Sequence, residues 1–172
     1  MFLSSCVPLS IAPDIDDYKI TNGKRFKRKL PKQKSFIFND TKNAGEFYQF
    51  VDAKFNLNNQ LLERDIPFKI KNKEYRFSFY EVKRKTKTVN VAPVLIDGAL
   101  QSNGHNTYFE DAYISRSGKW YIAITVTDQK YNDCLDSDYK EHREIVSYLQ
   151  KFKNEYFTTH NYTETLLLNK SN

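Results

Sequence analysis

The chain is poor in glycine, proline, cysteine and methionine, with 5, 5, 2 and 1 of them in 172 residues. So few glycines and prolines exclude a collagen-like repeat and a Pro/Gly-rich low-complexity chain. Two cysteines cannot staple a disulfide-built miniprotein. No apolar run approaches the roughly 18 to 20 residues that a bilayer-spanning helix requires. The sequence contains no G-x-S-x-G, P-loop, G-x-G-x-x-G or H-E-x-x-H pattern. It has no C-x-x-C and no Cys/His pair at zinc-ligand spacing. No catalytic residue, metal ligand or cofactor is therefore nominated, and no enzymatic activity is expected.

Aromatic residues, by contrast, are abundant. There are 12 Tyr and 13 Phe, and 40% of the chain is hydrophobic. That composition favours strands and an aromatic core, and the length suits about one domain.

The net charge of +6 is localised. Lys24, Arg25, Lys27, Arg28, Lys29, Lys32 and Lys34 place seven cations in eleven positions with no acid among them. Without them, 20 basic residues face 21 acidic ones, so the rest of the chain is nearly neutral. A smaller run is Lys83, Arg84, Lys85 and Lys87. Three readings fit the 24–34 segment: a solvated, edge-protecting strand or loop, a contact with an anionic membrane surface, or a nucleic-acid contact.

Near the N-terminus, Leu3-Ser4-Ser5-Cys6 presents an aliphatic residue, two small ones and a cysteine. This resembles the lipobox of bacterial lipoproteins, whose cysteine becomes the acylated first residue of the mature chain. The resemblance implies a lipid anchor at Cys6 and a place in a Gram-negative-type cell envelope, on the periplasmic side or surface. Only Met1 and Phe2 precede the motif, whereas a signal peptide needs about 7 to 15 apolar residues. The lipoprotein reading thus expects the true start upstream, with Met1 inside the apolar region; with Met1 as the start, the protein is cytosolic. A lipidated Cys6 leaves Cys134 as a buried odd thiol, and a free Cys6 in an oxidising compartment permits a Cys6–Cys134 bridge.

Along the chain, 1–13 reads as tether, 14–157 as one domain and 158–172 as a polar tail. Strands are expected at 18–21, ended by the turn pair Asn22-Gly23, and at 35–38. Asp40 or Thr41 is expected to cap a helix whose face is Phe47, Phe50, Val51 and Phe55. A hairpin pairs 66–70 with 75–82. Residues 75–79 are similar to the aromatic strand of an RNA-recognition motif but lack its glycines, and a half-buried strand explains them. A second hairpin is expected to pair 112–115 with 120–127, where Trp120, Ile122, Ile124 and Val126 alternate with Tyr121, Ala123, Thr125 and Thr127. Asp136, Ser137 or Asp138 is expected to cap a last helix with the stripe Ile145, Val146, Leu149, Phe152 and Tyr156. Hairpins with two amphipathic helices on one face make an α+β fold with an antiparallel sheet.

The remaining polar clusters have ordinary explanations. His105 sits in a Gly/Asn loop, His142 on a helix boundary and His160 in the tail. Asp128, Asp133, Asp136, Asp138 and Glu141 offer hard oxygens but lack the glycine and terminal Glu of an EF-hand. Tyr108, Glu110 and Asp111, near His105, are the nearest approach to an acid-base group, and chance suffices to produce it. The expected function is that of a non-enzymatic envelope lipoprotein with a binding or structural role. The alternative is a cytosolic nucleic-acid-binding or interaction domain that uses the basic segment.

Overall fold

Alternating apolar side chains make 120–127 a strand with two usable faces. In the computed structural model, which describes residues 14–57, 63–84 and 118–161, that strand is β5 (Lys119–Thr127). The elements before it are β1 (Lys19–Asn22), α1 (Gly23–Phe26), β2 (Lys34–Asp40), α2 (Glu46–Phe55), β3 (Ile66–Ile70) and β4 (Lys73–Arg84). After it comes α3 (His142–Thr158). The strands form one antiparallel sheet in the order β1-β2-β5-β4-β3. The fold is α+β.

β5 joins two ribbons, β1 with β2 and β3 with β4. Phe36–Asp40 face Ile124–Trp120 on one side, and Arg76–Arg84 face Thr127–Lys119 on the other. This corrects the expected pairing of 112–115 with 120–127. Residues 112–115 lie outside the described residues, and both edges of Trp120–Ile124 are already occupied. The β3–β4 hairpin forms as expected, turning through Lys71 in the left-handed region, φ 54°.

Both longer helices pack on one face of the sheet. From α2 come Phe47, Phe50 and Val51, and from α3 Ile145, Leu149, Phe152 and Tyr156; they meet Phe36, Phe38, Phe77, Phe79, Ile122 and Ile124 of the strands. Phe47 is central, with its ring edge-on to Phe79 at 5.0 Å and to Tyr156 at 4.9 Å. Such pairs add about 0.5–1.5 kcal/mol each beyond burial.

The starts of both helices differ from expectation. Asp40 does not cap α2: it is the last residue of β2, 4% exposed, and its carboxylate accepts the Tyr156 hydroxyl at 3.0 Å and the Lys42 amide at 3.2 Å. Gly45, left-handed at φ 80°, precedes α2 instead, and the Glu46 carboxylate accepts the Asn43 amide. Likewise α3 begins only after Glu141. Amides of Asp136, Tyr139 and His142 each bond three residues back, to Asp133, Asp136 and Tyr139, so this stretch is successive tight turns rather than helix. At the other end of α3, the Lys42 ammonium donates to the Tyr156 and Thr159 carbonyls at 2.6 Å each, closing a helix terminus that has no basic residue of its own. Burial lowers the Lys42 pKa against the pull of Glu46 and Asp40.

Candidate polyanion-binding face

The other face of the sheet carries the basic segment. Asn22 ends β1 and caps α1: its side chain accepts the Arg25 amide at 3.3 Å and donates to the Lys32 carbonyl. The expected Asn22-Gly23 turn is thus the start of a one-turn helix. Further bonds from Gly23 N to Gln33 O, Lys27 N to Gly23 O and Leu30 N to Lys27 O, at 2.8–3.0 Å, close the segment on itself.

Gly23 permits this closure. A Cβ there would lie 2.5 Å from the Pro31 carbonyl oxygen and 3.1 Å from Leu30 Cβ.

Among the cations stand two apolar residues four apart, Phe26 and Leu30. Both point down onto the sheet, 5% and 3% exposed, against Ile37, Val82, Tyr121 and Ala123. Phe26 meets the Tyr121 ring edge-on at 5.2 Å. Burying each contributes about 1.5–3 kcal/mol. Exposed like charges repel by about 1 kcal/mol or less per pair in water, so the anchors win and the segment holds its shape.

Lys24, Arg25, Lys27, Arg28, Lys29 and Lys32 consequently point outward and are exposed. Lys34 is half-buried at the start of β2, where its amide donates to the Asp133 carboxylate at 2.7 Å. None of these seven side chains makes an ion pair among the described residues. Elsewhere the pattern is opposite: Lys42, Lys54, Lys69, Lys71, Lys73, Lys119 and Lys153 each pair with a carboxylate.

Of the second basic run, Arg84 reaches the same place, whereas the Lys83 ammonium lies over the Trp120 ring, 5.6 Å from its centroid, on the opposite face. Lys27 Nζ donates to the Lys83 carbonyl at 3.3 Å, and the Arg84 guanidinium lies 4.9 Å from the Phe26 ring centroid. Lys85 and Lys87 lie outside the described residues, as do Cys6, its lipobox and the 7–13 tether. The first described residues nevertheless arrive at this face. Ile15 is 8% exposed in the Phe26–Leu30 cluster, and Asp14 accepts from Lys119 Nζ at 2.6 Å.

The other polar groups of the sequence are placed as structure. His105, Tyr108, Glu110 and Asp111 lie outside the described residues. His142 is half-buried at the start of α3, and the exposed His160 ring lies against the Thr158 carbonyl. Cys134 is fully buried and free, and burial pushes its thiol up to about 11.

The acidic group before α3 is spent on loop geometry. Asp128 accepts the Lys130 and Asn132 amides, the Asn132 side chain and the Tyr139 hydroxyl, while Asp133 accepts from Lys34 and Leu135. Among the described residues, no three His, Cys, Asp or Glu side chains are grouped to hold a metal ion.

Partial burial raises the Asp128 pKa, but the bonds from Asn132, Lys130 and Tyr139 outweigh it and hold the carboxyl below its ordinary 3.8. The loop's stabilisation is therefore complete above about pH 4 and lost as pH falls through the lowered value. Amide exchange at Lys130 and Asn132 should show constant protection from pH 5 to 8 and a loss in acid, and Asp128→Asn should abolish that acid step.

Fold and face together define an α+β domain with a preformed cationic surface on the sheet face opposite the two longer helices. Among the described residues no helix is long and apolar enough to cross a membrane. No known protein family, curated protein or solved structure matches the chain.

Proposed function

We propose that the protein is a non-enzymatic lipoprotein of a bacterial envelope, anchored through Cys6, that holds its 24–34 face against an anionic surface. One observation carries the reading. Six exposed cations without ion pairs among the described residues, Lys24, Arg25, Lys27, Arg28, Lys29 and Lys32, are fixed on the face where Ile15 brings the chain in. Acyl chains at Cys6 would hold the protein to the bilayer, and the basic face adds attraction to anionic headgroups, about 1 kcal/mol per cation near the surface.

Two measurements test it. Intact-protein mass from the native locus should give a species that begins at Cys6 and carries acyl chains. An unmodified chain beginning at Met1 would overturn the anchor. Separately, unlipidated full-length Cys6→Ser protein should sediment with vesicles containing phosphatidylglycerol and not with neutral vesicles. Replacing Lys24, Lys27, Arg28 and Lys29 by Gln should weaken that binding by about fivefold per charge. Unchanged binding would sink the role of the segment.

A second reading, a nucleic-acid-binding domain of the cytosol, draws on the meeting of the basic segment with Arg84. It predicts affinity for duplex DNA that falls steeply with salt, with a slope flattened by the same four replacements.

A further inference from the structure

We infer that the basic face engages the same leaflet that holds the acyl chains of Cys6, and not a second surface across from it. This rests on the lipoprotein reading above and deepens it. What carries it is the way the chain enters the fold. Asp14 accepts from Lys119 Nζ at 2.6 Å, and Ile15 is buried in the Phe26–Leu30 cluster of the basic face. Two residues on, Asp17 takes the ammonium of Lys153, a buried side chain of α3, and Tyr18 stacks on Phe36 with ring centroids 4.6 Å apart. The entry is clamped from both sides of the sheet, and its free end leaves at the corner where β5 begins. Lys27 reaches that corner too: its Nζ donates to the backbone carbonyl of Lys83 at 3.3 Å, one residue from Arg84, which faces Lys119 across the β4–β5 ladder.

Tether length then decides which face meets the lipid. Cys6 lies eight residues before Asp14, at most about 28 Å of extended chain. A domain of this size is about 40 Å across, so the tether is too short to pass around it and leave the basic face on the far side. Bridging to a second surface needs the cations turned away from the anchor, and the clamp at Asp14–Tyr18 opposes that arrangement. Within reach of the anchoring leaflet, the six exposed cations act at an effective concentration set by the tether. The nearby acids do not cancel them. Asp14 and Asp17 are engaged by Lys119 and Lys153, which leaves the exposed Asp16 at the entry against six cations.

The test uses the acylated full chain in neutral vesicles and in vesicles containing phosphatidylglycerol. It reads tryptic cleavage after Arg25, Lys27, Arg28 and Lys29 against cleavage after Lys130, which is exposed beyond the far end of β5. Phosphatidylglycerol should slow the first set by about tenfold or more, the effect of one or two cations at the surface, and leave Lys130 unchanged. Inserting 20 Gly/Ser residues between Ile11 and Ala12 alters nothing in the fold and lowers the effective concentration about sixfold. Protection should then drop about four- to sixfold. Equal protection with the longer tether would overturn the inference, because the contact then owes nothing to the entry point. No protection with the native tether would overturn it too, as would clustering of phosphatidylglycerol vesicles by the acylated protein, which requires a second surface. Failure of the reading beneath is seen separately, as a mass without acyl chains or a Cys6→Ser chain that ignores phosphatidylglycerol.

Discussion

Phe47→Ala is expected to destabilise the domain by about 3 to 5 kcal/mol. Phe47 is fully buried and its ring meets five others: Phe38, Phe50, Phe79, Phe152 and Tyr156. It is where α2, α3 and the sheet touch together. The cost combines lost transfer energy with a cavity that cannot collapse, because strands fix the wall on one side and α3 fixes it on the other. The readout is the urea midpoint at an unchanged slope. A loss below about 1 kcal/mol would mean that α2 closes onto the sheet once the ring is gone, and that the helix is not held where it is described.

Gly23→Ala should act on the basic face while leaving the sheet intact. The added methyl meets a backbone oxygen, Pro31 O, at 2.5 Å, which no rotamer change relieves. Ser35 Oγ at 3.0 Å and Leu30 Cβ at 3.1 Å close the other directions. Overpacking of this kind costs about 1–3 kcal/mol, and the cheapest relief is to lift 27–32 away from the sheet. The amides of Lys27 and Leu30 should then lose exchange protection, with β5 amides unaffected. Vesicle binding should fall severalfold although every cation is still present. Retained protection with weakened binding would instead place the effect outside the fold of this segment.

How far the sequence discloses this molecule depends on the range of the interaction concerned. Periodicity within a few residues disclosed the strands at 18–21, 35–38 and 66–70, and both helical faces, because burial writes itself into the spacing of Phe47, Phe50 and Val51 or of Ile145, Leu149 and Phe152. Pairing did not disclose itself. The alternation in 120–127 marks a strand but not its neighbours, and local hairpin logic assigned it an adjacent partner, whereas β2 and β4 both come from far upstream. Helix starts failed for a related reason. Asp40 has the composition of a cap, yet its partner Tyr156 is 116 residues away. The basic run was visible as composition, and its shape was carried by a weaker signal, the spacing of Phe26 and Leu30 between the cations. Its meeting with Arg84 depends on the register of β4 against β5, which no local pattern encodes.

The central position of β5 has a further consequence for how the chain is made. Everything on either side of it emerges from the ribosome first: by residue 84 both flanking ribbons are synthesised, and neither has the other to pair with. Two-stranded ribbons are marginal in water on their own, and here each exposes an aromatic face and a long unpaired edge until β5 arrives. Assembly thus waits on the late insertion of a single nine-residue strand. The interval between synthesis of Arg84 and of Thr127 is when the nascent chain most needs shielding from its own kind.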